Sequence, residues 1–144
     1  MIVDTGSRDK TREYASKRAT RVVDFAWCDD FSAARNAALE YVTGDWVLWL
    51  DAGETMRPET QTALRKFLDQ KVAEDTAYLL LIDMPSQDAD APHEQAARMR
   101  LHPRREDLNW FGRVREQLRY DPQQGELRVE QAPGIIERGT RDLD

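Results

Sequence analysis

The side chains best set for chemistry on a charged ligand are Asp4, Arg35, Asn36, Asp51 and Glu54. Asp51 and Glu54 close the stretch Gly44-Asp45-Trp46-Val47-Leu48-Trp49-Leu50-Asp51-Ala52-Gly53-Glu54, whose apolar run between two glycine turns reads as a short strand buried on both faces. A carboxylate where a buried parallel strand runs out points into the crevice at the carboxyl edge of an open α/β sheet, a usual place for a ligand. The same two acids can instead polarise a turn and help cap the helix that opens near Pro58. On the residues alone both readings stand. Asp4 repeats the pattern, following Ile2-Val3 and preceding the turn at Gly6. Arg35 and Asn36 sit among alanines in the middle of a helical stretch and could face the same crevice.

These residues need elements to position them. Ile2-Val3 predicts a strand, and Ser7 or Asp9 a cap for a helix whose inner stripe is Tyr14, Ala15, Arg18 and Ala19. Arg21 to Trp27 predicts a second strand, and Asp29 or Asp30 caps a helix from Phe31 to Val42 that buries Phe31, Ala34, Ala38 and Val42. Pro58 opens an amphipathic helix with Leu64, Phe67, Leu68 and Val72 on one face. Ala77 to Met84 is an apolar strand stopped by Pro85, and Ser86 to Gln95 a polar, mobile loop. From Ala97 the pattern alternates, Ala97, Met99 and Leu101 against Arg98, Arg100 and His102, as in a half-buried edge strand with a wet, basic face. Leu127 to Val129 and Gly134 to Ile136 read as two short terminal strands. Strands and helices alternate first and strands dominate later, which predicts an α/β fold with a mixed sheet flanked by helices.

Composition narrows the classes. A chain of 144 residues suits one domain spanning 1–144. With 21 basic against 27 acidic side chains it is not a generic nucleic-acid binder. No apolar run approaches the roughly 20 residues that span a bilayer, and the N-terminus lacks a signal-peptide profile, so the chain reads as cytoplasmic. Cys28 stands alone and only His93 and His102 accompany it, which leaves oxygen ligands to hold any metal. A phosphoacceptor receiver domain would need an acid pair on its first strand and a later lysine, and neither is present in that pattern.

Three blocks carry a resemblance: Val3-Asp4-Thr5-Gly6-Ser7-Arg8-Asp9-Lys10-Thr11, Trp27-Cys28-Asp29-Asp30-Phe31-Ser32-Ala33-Ala34-Arg35-Asn36, and the stretch closing on Asp51. They resemble family 2 glycosyltransferases with the GT-A fold, in particular a bacterial branch bearing the phrase W-C-D-D-F-S-A-A-R-N. Trp110-Phe111-Gly112-Arg113-Val114-Arg115-Glu116-Gln117-Leu118 is similar to that branch's F-x-G-R-V-H-E-Q. The resemblance implies inverting transfer of a sugar from a nucleotide-diphosphate donor to an acceptor hydroxyl. It implies that Asp4 binds the nucleotide base or ribose, that Arg35 and Asn36 lie near ribose and diphosphate, and that Glu116 is the base. It places Asp51, with Glu54, on a divalent cation, Mn²⁺ or Mg²⁺, that bridges the phosphates. Arg98 and Arg100 either help hold the diphosphate or form the wet strand face.

The chain departs from that pattern. Gly53 stands where the second acid of D-x-D belongs, Arg115 replaces a histidine, and Glu137 or Arg138 falls where the family tends to place a terminal histidine. The family's first strand has no counterpart, so the chain reads as truncated at its start. An unfilled place in the sheet predicts association into a homo-oligomer. The alternative to an enzyme is a degenerate or truncated module that binds a nucleotide sugar or a partner and transfers nothing.

Overall fold

A computed structural model of the chain describes residues 1–70, 73–86 and 91–139. In chain order the elements are β1 (Ile2–Asp4), α1 (Thr11–Ser16), β2 (Val22–Asp24), α2 (Phe31–Leu39), β3 (Trp46–Leu48), β4 (Glu54–Met56), α3 (Pro58–Gln70), β5 (Thr76–Met84), β6 (Glu94–Pro103), β7 (Asn109–Phe111), β8 (Gln117–Arg119) and β9 (Arg128–Arg138). The class is mixed α/β. Where the sequence reads as one domain, the chain gathers into two compact units: residues 1–43 with 106–124, and residues 44–105 with the chain from 125 onward.

The first unit opens as a β-α-β sequence. β1 and β2 pair in parallel, Val3 opposite Val23 and Asp4 opposite Asp24, with α1 as the crossover. Asp9 Oδ1 accepts the Thr11 amide at 2.9 Å, but the N-cap position itself falls on Lys10, whose side chain makes no cap bond. α1 is under two turns long, so its expected stripe shrinks to Ala15, and Tyr14 is exposed. α2 starts at Asp30, in extended conformation, whose Oδ1 accepts the Ala33 amide at 3.0 Å and the Ser32 hydroxyl at 2.7 Å. Ser32 and Ala38 are its buried residues, while Phe31 stays exposed and meets Trp27 edge-on at 4.9 Å. β7 and β8 form an antiparallel hairpin.

The second unit is a five-stranded mixed sheet in the order β3-β6-β5-β9-β4, with β5 and β9 parallel and the other pairs antiparallel. Its core joins Leu64 of α3 to Tyr78, Leu80 and Ile82 of β5, Leu101 of β6 and Ile136 of β9. Phe67 and Leu68 pack against this core, and the expected fourth member of the α3 stripe, Val72, lies outside the described residues.

Three expectations for this unit are corrected. The Trp46 to Leu50 run is not a central parallel strand: β3 covers three residues, lies at one end of the sheet and pairs antiparallel with β6, Val47 opposite His102. Only Val47 is buried within it, and Leu50 beyond it is exposed, because the aromatic rings lie along the neighbouring strands, Trp46 on Tyr78 and Trp49 on His102. β6 is no edge strand, since β3 and β5 flank it, and the basic face expected to be wet is buried at Arg100 and His102. The polar loop after Pro85 ends at Glu94, where β6 begins, and residues 87–90 lie outside the described residues. Finally, the two terminal strands are one. β9 continues through Ala132-Pro133-Gly134 because the register with β5 shifts there, and a bulge accommodates a proline without an amide and a glycine at φ +106°.

Gly134 also lets α3 approach β9. A Cβ there would lie 2.6 Å from Cγ2 of Thr60, whose hydroxyl bonds the Ile135 backbone. Gly134→Ala is therefore expected to destabilise the chain by about 2 to 4 kcal/mol, from left-handed strain and overpacking together. Urea unfolding measures it, and an unchanged midpoint at unchanged slope contradicts this account of the bulge.

Candidate functional site

Asp4 ends β1 and is buried. Its Oδ1 accepts the amides of Ser7 at 2.8 Å and Gly6 at 3.2 Å, closing the turn that Gly6 makes possible at φ +111°. The Ser7 amide above all, then the Ser7 hydroxyl and the Gly6 amide, hold the carboxyl below the ordinary aspartate range. Asp4 is thus a fixed anion where a strand ends, in the setting expected of it.

Arg35 and Asn36 project from α2 onto the β7–β8 hairpin. Arg35 Nε and Nη2 lie 2.8 and 2.7 Å from Glu116 Oε1, and its guanidinium carbon is 4.9 Å from the centre of the Trp110 ring. Both side chains of the ion pair are largely buried, 13% and 15% exposed. Asn36 treats Trp110 as a strand would: its Nδ2 donates to the Trp110 carbonyl at 2.8 Å and its Oδ1 accepts the Trp110 amide at 2.7 Å. Its amide therefore ties α2 to the β7–β8 hairpin.

Two further bonds close the assembly, from the Phe31 amide to the Arg113 carbonyl at 3.2 Å and from Arg113 Nε to the Asp29 carbonyl at 3.2 Å. Asp29 and Arg115 hold φ of +56° and +55°, strained for residues with a side chain. Glu116 follows directly on that strain. Its partner is Arg35 rather than Arg113 or Arg115, so the block around Trp27 to Asn36 and the block around Trp110 to Leu118 meet through specific side chains. Trp110 is the member of this group that the sequence did not single out, because its backbone, bonded by Asn36, carries no signal in its residue type.

In the second unit, Asp51 and Glu54 bracket a tight turn. The Glu54 amide donates to the Asp51 carbonyl at 3.1 Å, the Asp51 amide to Glu54 Oε2 at 2.9 Å, and Gly53 takes φ +82°. That conformation favours glycine, which is a physical reason for Gly53 where an acid is expected. Two arginines close on the acids. Arg100 Nη2 lies 3.0 Å from Asp51 Oδ2 and 2.7 Å from Glu54 Oε1; Arg138 Nη2 lies 2.6 Å from Glu54 Oε1 and 3.7 Å from Asp51 Oδ2, and its Nε 3.2 Å from Glu54 Oε1. The Glu54 side chain has no exposed surface and that of Arg100 only 5%, whereas Asp51 and Arg138 keep about a third of theirs.

As arranged, this pair does not fit a divalent cation. Glu54 is already neutralised by two guanidinium groups, and among the described residues no three of His, Cys, Asp and Glu converge as ligands would. A groove of about 520 Å³ in this unit, lined in part by Arg57, Thr60, Asp83, Ile135 and Glu137, does not include Asp51 or Glu54 in its walls.

Behind Arg100, His102 is buried with a fixed tautomer. The Trp49 indole can only donate, so its 2.9 Å contact to His102 Nε2 makes that nitrogen the acceptor and leaves Nδ1–H to donate to the Pro103 carbonyl at 2.8 Å. Burial pushes the imidazole below its ordinary value and outweighs the opposing Pro103 bond, so the ring is neutral.

Compared with known proteins, residues 1–127 match the family model described as Glycosyl transferase family 2. A TPR repeat-containing protein of Synechococcus elongatus is 40% identical over 99 residues, which cover 69% of this chain and 24% of that protein. The chain thus spans about a quarter of that relative's length. Among solved structures, S. aureus TarS aligns over 63% of this chain and 28% of its own, at 24% identity and a TM-score of 0.46. No helix among the described residues is long and apolar enough to cross a membrane.

The neutral His102 makes stability depend on pH. Above about pH 6.5 both folded and unfolded imidazoles are neutral and the full stability is present; as pH falls below that value the unfolded chain binds its proton first, and stability is lost. Urea unfolding from pH 7.5 down to 5.5 is expected to show this decline, and His102→Gln to flatten it. A wild-type stability that is constant or rising over that interval contradicts a buried neutral His102.

Proposed function

The chain belongs to glycosyl transferase family 2, and on that premise we propose that it carries out inverting transfer of a sugar from a nucleoside diphosphate donor to an acceptor hydroxyl. The observation that supports this most is the Glu116–Arg35 pair. Glu116 is a largely buried carboxylate on a strained hairpin loop, and a guanidinium fixes its orientation. Such a group can take the proton of an acceptor hydroxyl while the hydroxyl oxygen attacks the anomeric carbon and the bond from that carbon to the diphosphate breaks. One displacement inverts the anomeric centre. Arg35 is matched in shape to phosphate oxygens as well as to Glu116, so the same fork serves the donor's diphosphate. Asp4, a fixed anion at its turn, accepts hydrogen bonds from the nucleoside base or ribose. In the second unit, the family likeness gives the Asp51 turn a diphosphate-facing role, and the positive charge that an anion needs there comes from Arg100 and Arg138.

One observation favours the second reading, a module that binds a nucleotide sugar without transferring it. Asn36 is engaged by Trp110, and Glu54 by Arg100 and Arg138, so fewer polar groups remain for a donor than the family pattern provides.

Homo-oligomerisation belongs to the same proposal. β1 has β2 as its strand partner among the described residues, and an apolar strand edge favours pairing with a second copy. Light scattering across a concentration series is expected to give a mass above that of one chain, and a single-chain mass throughout contradicts it.

The two functional readings part on one substitution. Glu116→Gln in an active, full-length form is expected to lower turnover by about 10² to 10⁴ while donor affinity is kept, as for a base that acts in the transition state. Normal turnover by the variant means that Glu116 only braces the hairpin. Donor binding by the wild type with no product from any acceptor supports the binding module.

A further inference from the structure

We propose that Arg100 and Arg138 take the place of a divalent cation beside Asp51 and Glu54, so that this acidic turn is neutralised from within and holds no metal. The inference rests on the proposed function only in giving the turn a diphosphate-facing role; the closure to metal follows from the ion pairs themselves.

Two carboxylates face two guanidinium groups, so the cluster is neutral as it stands. The contacts are concentrated on one oxygen, since Glu54 Oε1 receives Arg100 Nη2 at 2.7 Å and Arg138 Nη2 at 2.6 Å, with Arg138 Nε at 3.2 Å. The other oxygen, Oε2, accepts the Asp51 amide at 2.9 Å. A cation could reach Glu54 only by displacing a guanidinium from Oε1 or breaking the turn at Oε2. On Asp51, Oδ2 already faces Arg100 at 3.0 Å and Arg138 at 3.7 Å.

The two arginines are not equivalent. Arg100 belongs to β6, which β3 and β5 flank, and its side chain is 5% exposed, so it cannot turn out to water. Arg138 ends β9 and keeps about a third of its side-chain surface. It is the movable member of the cluster, the positive charge that can meet an incoming anion, and the one whose removal opens the site. Arg138 lies in the segment where the sequence departs from the family's terminal histidine, so a permanent positive charge stands where a neutral metal ligand is expected.

The test is a Mn²⁺ titration of the whole chain, read from the electron paramagnetic resonance of free Mn²⁺, which requires no activity. The wild type is expected to bind no Mn²⁺ up to about 1 mM, the range of weak all-oxygen sites. Arg138→Gln, which keeps length and polarity without charge, is expected to gain Mn²⁺ affinity by at least about tenfold, about 1.4 kcal/mol. Arg138→Lys, which keeps the charge, should remain without metal. Tight Mn²⁺ binding by the wild type overturns the proposal, and so does a folded Arg138→Gln variant that gains nothing. Should that variant not fold, the wild-type titration decides alone. Adding uridine diphosphate and the other nucleoside diphosphates in a second arm separates the two readings: no nucleotide binding under any condition counts against the proposed function, while the Mn²⁺ result still judges the arginines.

Discussion

Glu54 sets the terms for the second unit. A carboxylate without exposed surface costs several kcal/mol to bury and becomes tolerable only when paired and hydrogen-bonded. Its partners come from different strands: Glu54 opens β4, Arg100 lies in β6 and Arg138 ends β9, while the turn back to Asp51 ties in the end of the β3 run. Removing one partner would leave a buried charge uncompensated, at about 3 to 5 kcal/mol, so strand order and charge order are fixed together. The same demand explains why β6 can carry Arg100 and His102 inside the sheet: one is neutralised by carboxylates and the other loses its proton.

The first unit solves a different problem with local means. A short hairpin has little core of its own, and a two-stranded ribbon alone is marginal. Asn36 supplies both a donor and an acceptor to the Trp110 backbone, and Arg35 one helix position earlier reaches Glu116, so adjacent residues of α2 anchor both strands' ends of the loop. These links span sequence separations of 74 and 81 residues. The physical content of the two motif blocks is therefore that one holds the other in place, with the strained residues Asp29 and Arg115 on either side of the join.

What was legible in the sequence is what depends on neighbours a few residues away. The Asp30 cap, the Pro58 start of α3, the apolar run of β5 and the Asp4 turn all rest on local hydrogen bonds and periodicity, and each stands as read. The place of β3 did not follow, because an apolar aromatic run serves a sheet edge as well as a sheet centre when its rings meet side chains of β6 and β5. Alternation put Arg98, Arg100 and His102 on one face but could not tell a wet face from one lined by carboxylates, since those carboxylates lie 46 and 49 residues away. A proline and a glycine in β9 read as a break, although a bulge carries the strand past them. Candidate site residues were named by type and by family likeness, while their partners, Arg35 for Glu116 and Trp110 for Asn36, are facts of tertiary structure.

The central claim is that Asp4 and Arg35 of the first unit receive a nucleoside diphosphate. Backbone amide chemical-shift mapping of the isotopically labelled chain during titration with nucleoside diphosphates, in the absence of metal, tests it most directly. The account predicts saturable shifts concentrated at Gly6 and Ser7, whose amides bind Asp4, and around Arg35. Shifts that are absent for every nucleotide, or that fall away from both places, would contradict it.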